Sequence, residues 1–118
     1  MYISGFLIPV PADKKAAYQD VAERFWEIAK DYGAREQVEA WEADVKDGQQ
    51  TDFRRAVNLA EGEKVVFSWV IWDDKDTADA SHEKMMADER MQQFDGEMPF
   101  DGKRMIYGGF EPLVVRGR

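Results

Sequence analysis

Between Val65 and Trp72 the chain reads VVFSWVIW. A run of eight residues, nearly all apolar or β-branched, is too short for a core helix and predicts a central strand buried on both faces. Strand alternation sorts it into Val65, Phe67, Trp69 and Ile71 on one side and Val66, Val70 and Trp72 on the other. Any fold built around this segment must therefore cover two sides of a sheet.

The rest of the chain supplies the partners. Tyr2 to Val10 is a second short apolar segment, followed by the breaker cluster Pro11 to Asp13; it predicts a buried strand whose ladder ends at Pro9. From Asp13 to Tyr32 the residues Tyr18, Val21, Ala22, Phe25, Ile28, Ala29 and Tyr32 keep helical spacing, and Gly33 stands where a left-handed cap is needed. Ala34 to Val45 alternates in part, Val38 and Ala40 against Glu39 and Trp41, as an outer strand does. Lys46 to Lys64 is polar and glycine-containing, predicting a loop in which Thr51 to Leu59 makes a helical turn. Asp73 to Asp76 should cap a second helix running to about Met91, with Ala78, His82, Met85, Met86 and Glu89 near one face and His82 leaning toward the sheet. In the stretch MPFDGKRMIYGGF, Pro99 forces Met98 out of the helical region and Asp101-Gly102 supplies a turn. Lys103 to Phe110 then alternates as a last strand, where Gly108 and Gly109 call for a bulge or the close approach of another group, and Pro112 marks its end.

The order is βαββαβ, the ferredoxin-like split motif, an α+β fold with the first and third strands central in a four-stranded antiparallel sheet. Its two helices cover only one face. A second copy of the chain is the expected cover for the other, because two-fold symmetry is the rule among small oligomers, so the sequence predicts a homodimer packed sheet to sheet. At 118 residues, 44% of them hydrophobic, the chain is expected to form a single domain spanning 1–118.

Charge and cysteine content narrow the partners. A formal charge of -8 repels phosphate backbones and anionic lipid, so nucleic acid and membrane surfaces are not expected partners. With no cysteine and no signal-peptide pattern in MYISGFLIPVPADKK, the expectation is a cytoplasmic protein. One histidine and no cysteine serve zinc poorly, and neither a metal nor another cofactor is expected. Asp73, Asp74 and Asp76 read as helix-capping residues rather than a hard-ion site.

Several segments together resemble one family. GFLIPVPADKKAAY, DVKDGQQTDFRRAV, VVFSW, EKMMADERM and MPFDGKRMIYGGFEPL look like the YbaA-like family of small bacterial proteins, domain of unknown function 1428. The resemblance covers nearly the whole chain and implies a dimeric α+β barrel. It brings no established activity, substrate or catalytic residue.

The resulting expectation is a homodimeric module that binds a small organic molecule in a partly apolar pocket between sheet and helices. Trp69, His82, Met86, Phe100, Arg104 and Tyr107 are the candidate lining, although alternation sets Arg104 and Tyr107 on opposite faces. Two of them have a plainer reading: Trp69 as a core aromatic, like Trp72 on the opposite face, and His82 as a hydrogen-bonded residue at the core rim. Arg54, Arg55, Lys103 and Arg104 could hold an anionic group or pair with acids such as Asp52, Asp101 and Glu111. One alternative is a cofactor-independent or haem-degrading monooxygenase, which the resemblance to the barrel superfamily implies and in which Trp72 and His82 would form the strand tryptophan and helix histidine. The other is a structural or protein-interaction role.

Overall fold

The computed structural model describes residues 1–117. Its elements are β1 (Tyr2–Pro11), α1 (Lys15–Ala29), β2 (Glu36–Trp41), the short α2 (Phe53–Ala56), β3 (Glu63–Trp72), α3 (Lys75–Ala87) and β4 (Ile106–Phe110). The strands form one sheet in the order β2-β3-β1-β4, with every neighbouring pair antiparallel. This is the expected ferredoxin-like arrangement, with the two most apolar strands in the centre.

Both long helices lie against the same face. Ile28 and Ala29 of α1 and Ala78 and Met85 of α3 form one buried cluster with Val70 and Trp72 of β3, and Tyr18 joins Ile8, Val10 and Val66 in a second. The α1 stripe is the one its spacing predicts, and the helix continues through a 3-10 turn to Gly33, whose φ of 106° is the left-handed cap. Ile3, Gly5, Leu7, Val38, Phe67, Trp69, Ile71, Ile106, Gly108 and Phe110 fall on the other face by register. That face has no long helix over it; Phe53 of α2 meets Phe67 edge-on at one end, with ring centroids 6.1 Å apart.

Four expectations need correction. Pro9 does not end the first ladder: β1 pairs with β3 through Pro11↔Glu63. Val65 donates its backbone N–H to Glu42 Oε1 and accepts from the Glu42 N–H with its carbonyl, so both groups point away from Pro9, and the Pro9↔Val65 pair exchanges no hydrogen bonds. On its other side β1 has already lost β4, whose pairing stops at Leu7↔Ile106, so the missing proline N–H faces no partner.

The second helix stops at Ala87 rather than near Met91. Asp88 leaves the helix in an extended conformation and its side chain accepts from the Arg90 N–H, capping a separate 3-10 turn, Glu89–Phe94. Its carboxylate is also held by Arg90 and by the Tyr32 hydroxyl at 2.6 Å, a set of bonds that competes with helix continuation. The two outer strands are likewise shorter than the pattern suggests. Beyond Trp41, Glu42 turns its carboxylate onto Val65 and Arg54, and ahead of Ile106 the Asp101 side chain binds Lys103 N and Arg104 Nε.

The fourth concerns α3. Its inward stripe is Ala78, Ser81 and Met85, while His82 and Met86 are exposed, Met86 by 69%. Hydropathy favours Met86 over serine for the interior, yet the small Ser81 is only 1% exposed and its hydroxyl donates to Met85 Sδ at 3.6 Å. His82 therefore does not lean toward the sheet.

The paired glycine in β4 has a steric cause. A Cβ on Gly109 would overlap the Tyr2 hydroxyl, and the Phe110 ring lies over Gly108 and its neighbour Gly5. The close group is a side chain of the protein itself.

Candidate functional site

The residues that converge on chemistry are Tyr18 of α1, Gln37 and Glu39 of β2, and Ser68 of β3. Their meeting follows from periodicity and register. Tyr18 opens the buried stripe of α1, and Glu39 stands directly across from Ser68 on the helix-covered face. Ser68 Oγ donates to Glu39 Oε2 at 2.7 Å, Gln37 Nε2 donates to the same oxygen at 3.1 Å, and the Tyr18 hydroxyl donates to Oε1 in a short hydrogen bond. Gln37 Nε2 also donates to the carbonyl of Ala22 at 3.1 Å.

Two features of this cluster are unusual. Glu39 is held by neutral donors, and among the described residues no Lys or Arg pairs with it. Gln37 Oε1 is buried and accepts no hydrogen bond among the described residues. The amide cannot be turned to satisfy it, because its nitrogen faces two acceptors. Burial, followed by the negative charge of Glu39 and the hydrogen bond to it, holds the Tyr18 phenol far above its ordinary pKa of 10.0, so it remains a proton donor.

The cluster borders two spaces. One is a cavity of about 230 Å³ between sheet and helices, with Phe6, Phe25, Phe94, Phe100 and Met105 among its walls. The other is an outer groove of about 770 Å³ beside α1 and β2, flanked by Trp26, Trp41, Glu23, Glu27 and Glu36. Tyr18, Ala22, Gln37 and Glu39 line both, so the polar residues stand at the boundary between them.

Of the six residues singled out from sequence, Phe100 lines the cavity, its ring meeting Tyr18 edge-on at 5.9 Å. Trp69 lies on the open face, donating Nε1 to Glu36 Oε2 at 3.1 Å and contacting Phe67. Tyr107 sits across from Phe6 at the edge of the sheet and is 74% exposed. Arg104 is held by Glu63 through two 2.7 Å bonds and by Asp101 at 2.8 Å. His82 and Met86 are on the outer surface of α3. The six are not brought together. Trp72 is buried and donates to Ser4 Oγ at 3.0 Å, and neither it nor His82 lines the helix-side cavity. The strand-tryptophan and helix-histidine arrangement is therefore absent from that cavity.

The other candidate groups have structural partners. Arg54 bonds Glu42 and Asp47, and Arg55 bonds Asp52, which also caps α2. The ion-pair reading thus describes both, while Arg104 takes Glu63 in addition to the expected Asp101. Asp74 caps α3 through the Thr77 N–H, and Asp73 forms a two-bond pair with Arg35.

Fold and site together define an α+β ferredoxin-like protein with a cavity under its helices. More particularly, the chain belongs to the family described as protein of unknown function (DUF1428), whose pattern matches residues 1–102. It is 52% identical over 113 residues to the uncharacterized protein YbaA of Escherichia coli strain K12, covering 96% of this chain and 97% of the relative. The fold is similar to that of an uncharacterized NIPSNAP domain protein from Burkholderia xenovorans, with a TM-score of 0.59 and 18% identity over all of both chains. A dimeric ferredoxin-like protein from an uncultured marine organism is similar at a TM-score of 0.64 and 7% identity, again over all of both chains. Among the described residues no helix is long and apolar enough to cross a membrane.

Proposed function

We propose that this protein is a homodimer in which each protomer binds a small organic molecule in the cavity between its helices and sheet. The observation that carries this reading is the cavity itself: aromatic and methionine walls around one convergent polar cluster, the usual composition of a small-molecule site. At about 230 Å³ it lies just below the usual range for ligand sites, which favours a compact ligand. The open sheet face supports the dimer. Phe67, Ile106 and Phe110 are 48%, 45% and 60% exposed there, forming an apolar surface of the kind that marks an interface. The similar ferredoxin-like protein from an uncultured marine organism is dimeric, which agrees with this reading.

Native mass spectrometry of gently purified protein tests both halves. The expected spectrum shows two chains carrying additional small-molecule mass that is released on denaturation. Single chains at micromolar concentration would exclude the dimer. A bare protein that also binds no small aromatic probe would exclude the binding role.

A further inference from the structure

We infer that the cavity selects compact aromatic or aliphatic amines, because its side-chain wall presents hydrogen-bond acceptors and no uncommitted donor. This inference rests on the binding role proposed above and specifies the ligand class.

Each donor bordering the cavity is already spent. The Tyr18 and Ser68 hydroxyls both point at Glu39, and the Gln37 amide nitrogen is shared between Glu39 and the Ala22 carbonyl. What remains is acceptor capacity: the unpaired and buried Gln37 Oε1, and lone pairs on the Glu39 carboxylate. A buried acceptor without a partner has lost its hydration, so a ligand that donates to it supplies a bond the protein itself does not make. A carboxylate or phosphate ligand would meet no donor and would face Glu39.

Charge points the same way. Among the described residues Glu39 is the only charged side chain bordering the cavity, and no Lys or Arg pairs with it. A part-buried carboxylate held by neutral donors is a natural counter-ion for an ammonium group. Among its described lining residues the outer groove adds Glu23 and Glu27 of α1, the latter paired with Lys30 at 2.6 Å, against the single basic Lys15. Lys15 Nζ lies 5.3 Å from the centroid of the Trp41 ring, so an aromatic face at the groove already holds an ammonium ion. Acidic approach, aromatic rim and acceptor-only wall all favour the same ligand.

The test compares three probes of similar shape on the intact protein at neutral pH: 2-phenylethylamine, 3-phenylpropanoate and toluene. Binding is measured by titration while the backbone amide signals of Tyr18, Gln37 and Ser68 are followed by NMR. The amine should bind about tenfold or more tightly than either of the others, the scale of one charge-assisted hydrogen bond, and should shift those three signals. In Glu39→Gln most of this preference should vanish while toluene binding persists. Should the acid match the amine, or the amine do no better than toluene, while the shifts stay at those three residues, the ligand class is wrong and the cavity stands as a binding site. If no probe reaches the cavity, the binding role itself fails and takes the inference with it. The comparison on the unmodified protein decides the matter even if the variant does not fold.

Discussion

The two faces of the sheet solve the same problem differently. Under the helices, β3 contributes Val66, Ser68, Val70 and Trp72, each less than 7% exposed, and the chain supplies its own cover. On the opposite face Phe67 is 48% exposed and Phe110 60%, with aromatic contacts running from Phe53 through Phe67 to Trp69. The covered face tolerates a carboxylate because three elements bring donors to it. The open face is almost purely apolar and has its long helices on the wrong side. Polar chemistry thus sits where the chain encloses it, and association falls to the face it leaves bare.

Truncation should separate the two faces most sharply. Trp72→Ala removes a buried ring and its hydrogen bond to Ser4, and is expected to cost about 3–5 kcal/mol in urea unfolding. Trp69→Ala, on the open face, should cost about 1–2 kcal/mol at dilutions where the two chains separate. Equal losses under those conditions would mean that a single chain covers both faces. A charge on the open face gives the next largest effect: Phe67→Lys should shift the sedimenting mass from two chains to one while leaving the far-ultraviolet spectrum unchanged. A mass that stays at two chains would move the interface elsewhere.

The smallest effect sharpens the covered face. Tyr18 has a folded-state pKa well above 10.0, so its proton is held more tightly in the folded than in the unfolded chain. Its contribution to stability is complete below pH 10 and is lost as pH rises from there toward the folded-state value. Tyr18→Phe should flatten the decline in stability between roughly pH 10 and 11 relative to the unmodified protein. Parallel declines would show that the phenol is not desolvated beside Glu39.

Much of the fold was legible because its causes are local. The period of α1, the left-handed position of Gly33 and the two-sided pattern of β3 each follow from a few neighbouring residues. Where local rules misled, another contact won. Pro9 keeps its ladder because Val65 turns its backbone toward Glu42, α3 ends early because Asp88 is bound by Arg90 and Tyr32, and His82 yields the interior to Ser81.

The site was barely legible. Phe100 was read from the sequence as a lining residue, but of the polar cluster only Ser68 carries a local signal, as the lone polar residue in an otherwise apolar run, whereas Glu39 resembles any outward charge on an outer strand. From its own pattern the chain specifies two central strands, a helix stripe and a sheet that needs cover on both sides. Only the tertiary structure decides that Glu39 faces Ser68, that Tyr18 and Gln37 close around it, and that an acceptor is left over at a cavity. The reason is physical: a period of two fixes which residues share a face, but the register between strands determines which face is covered and which partners a buried charge meets.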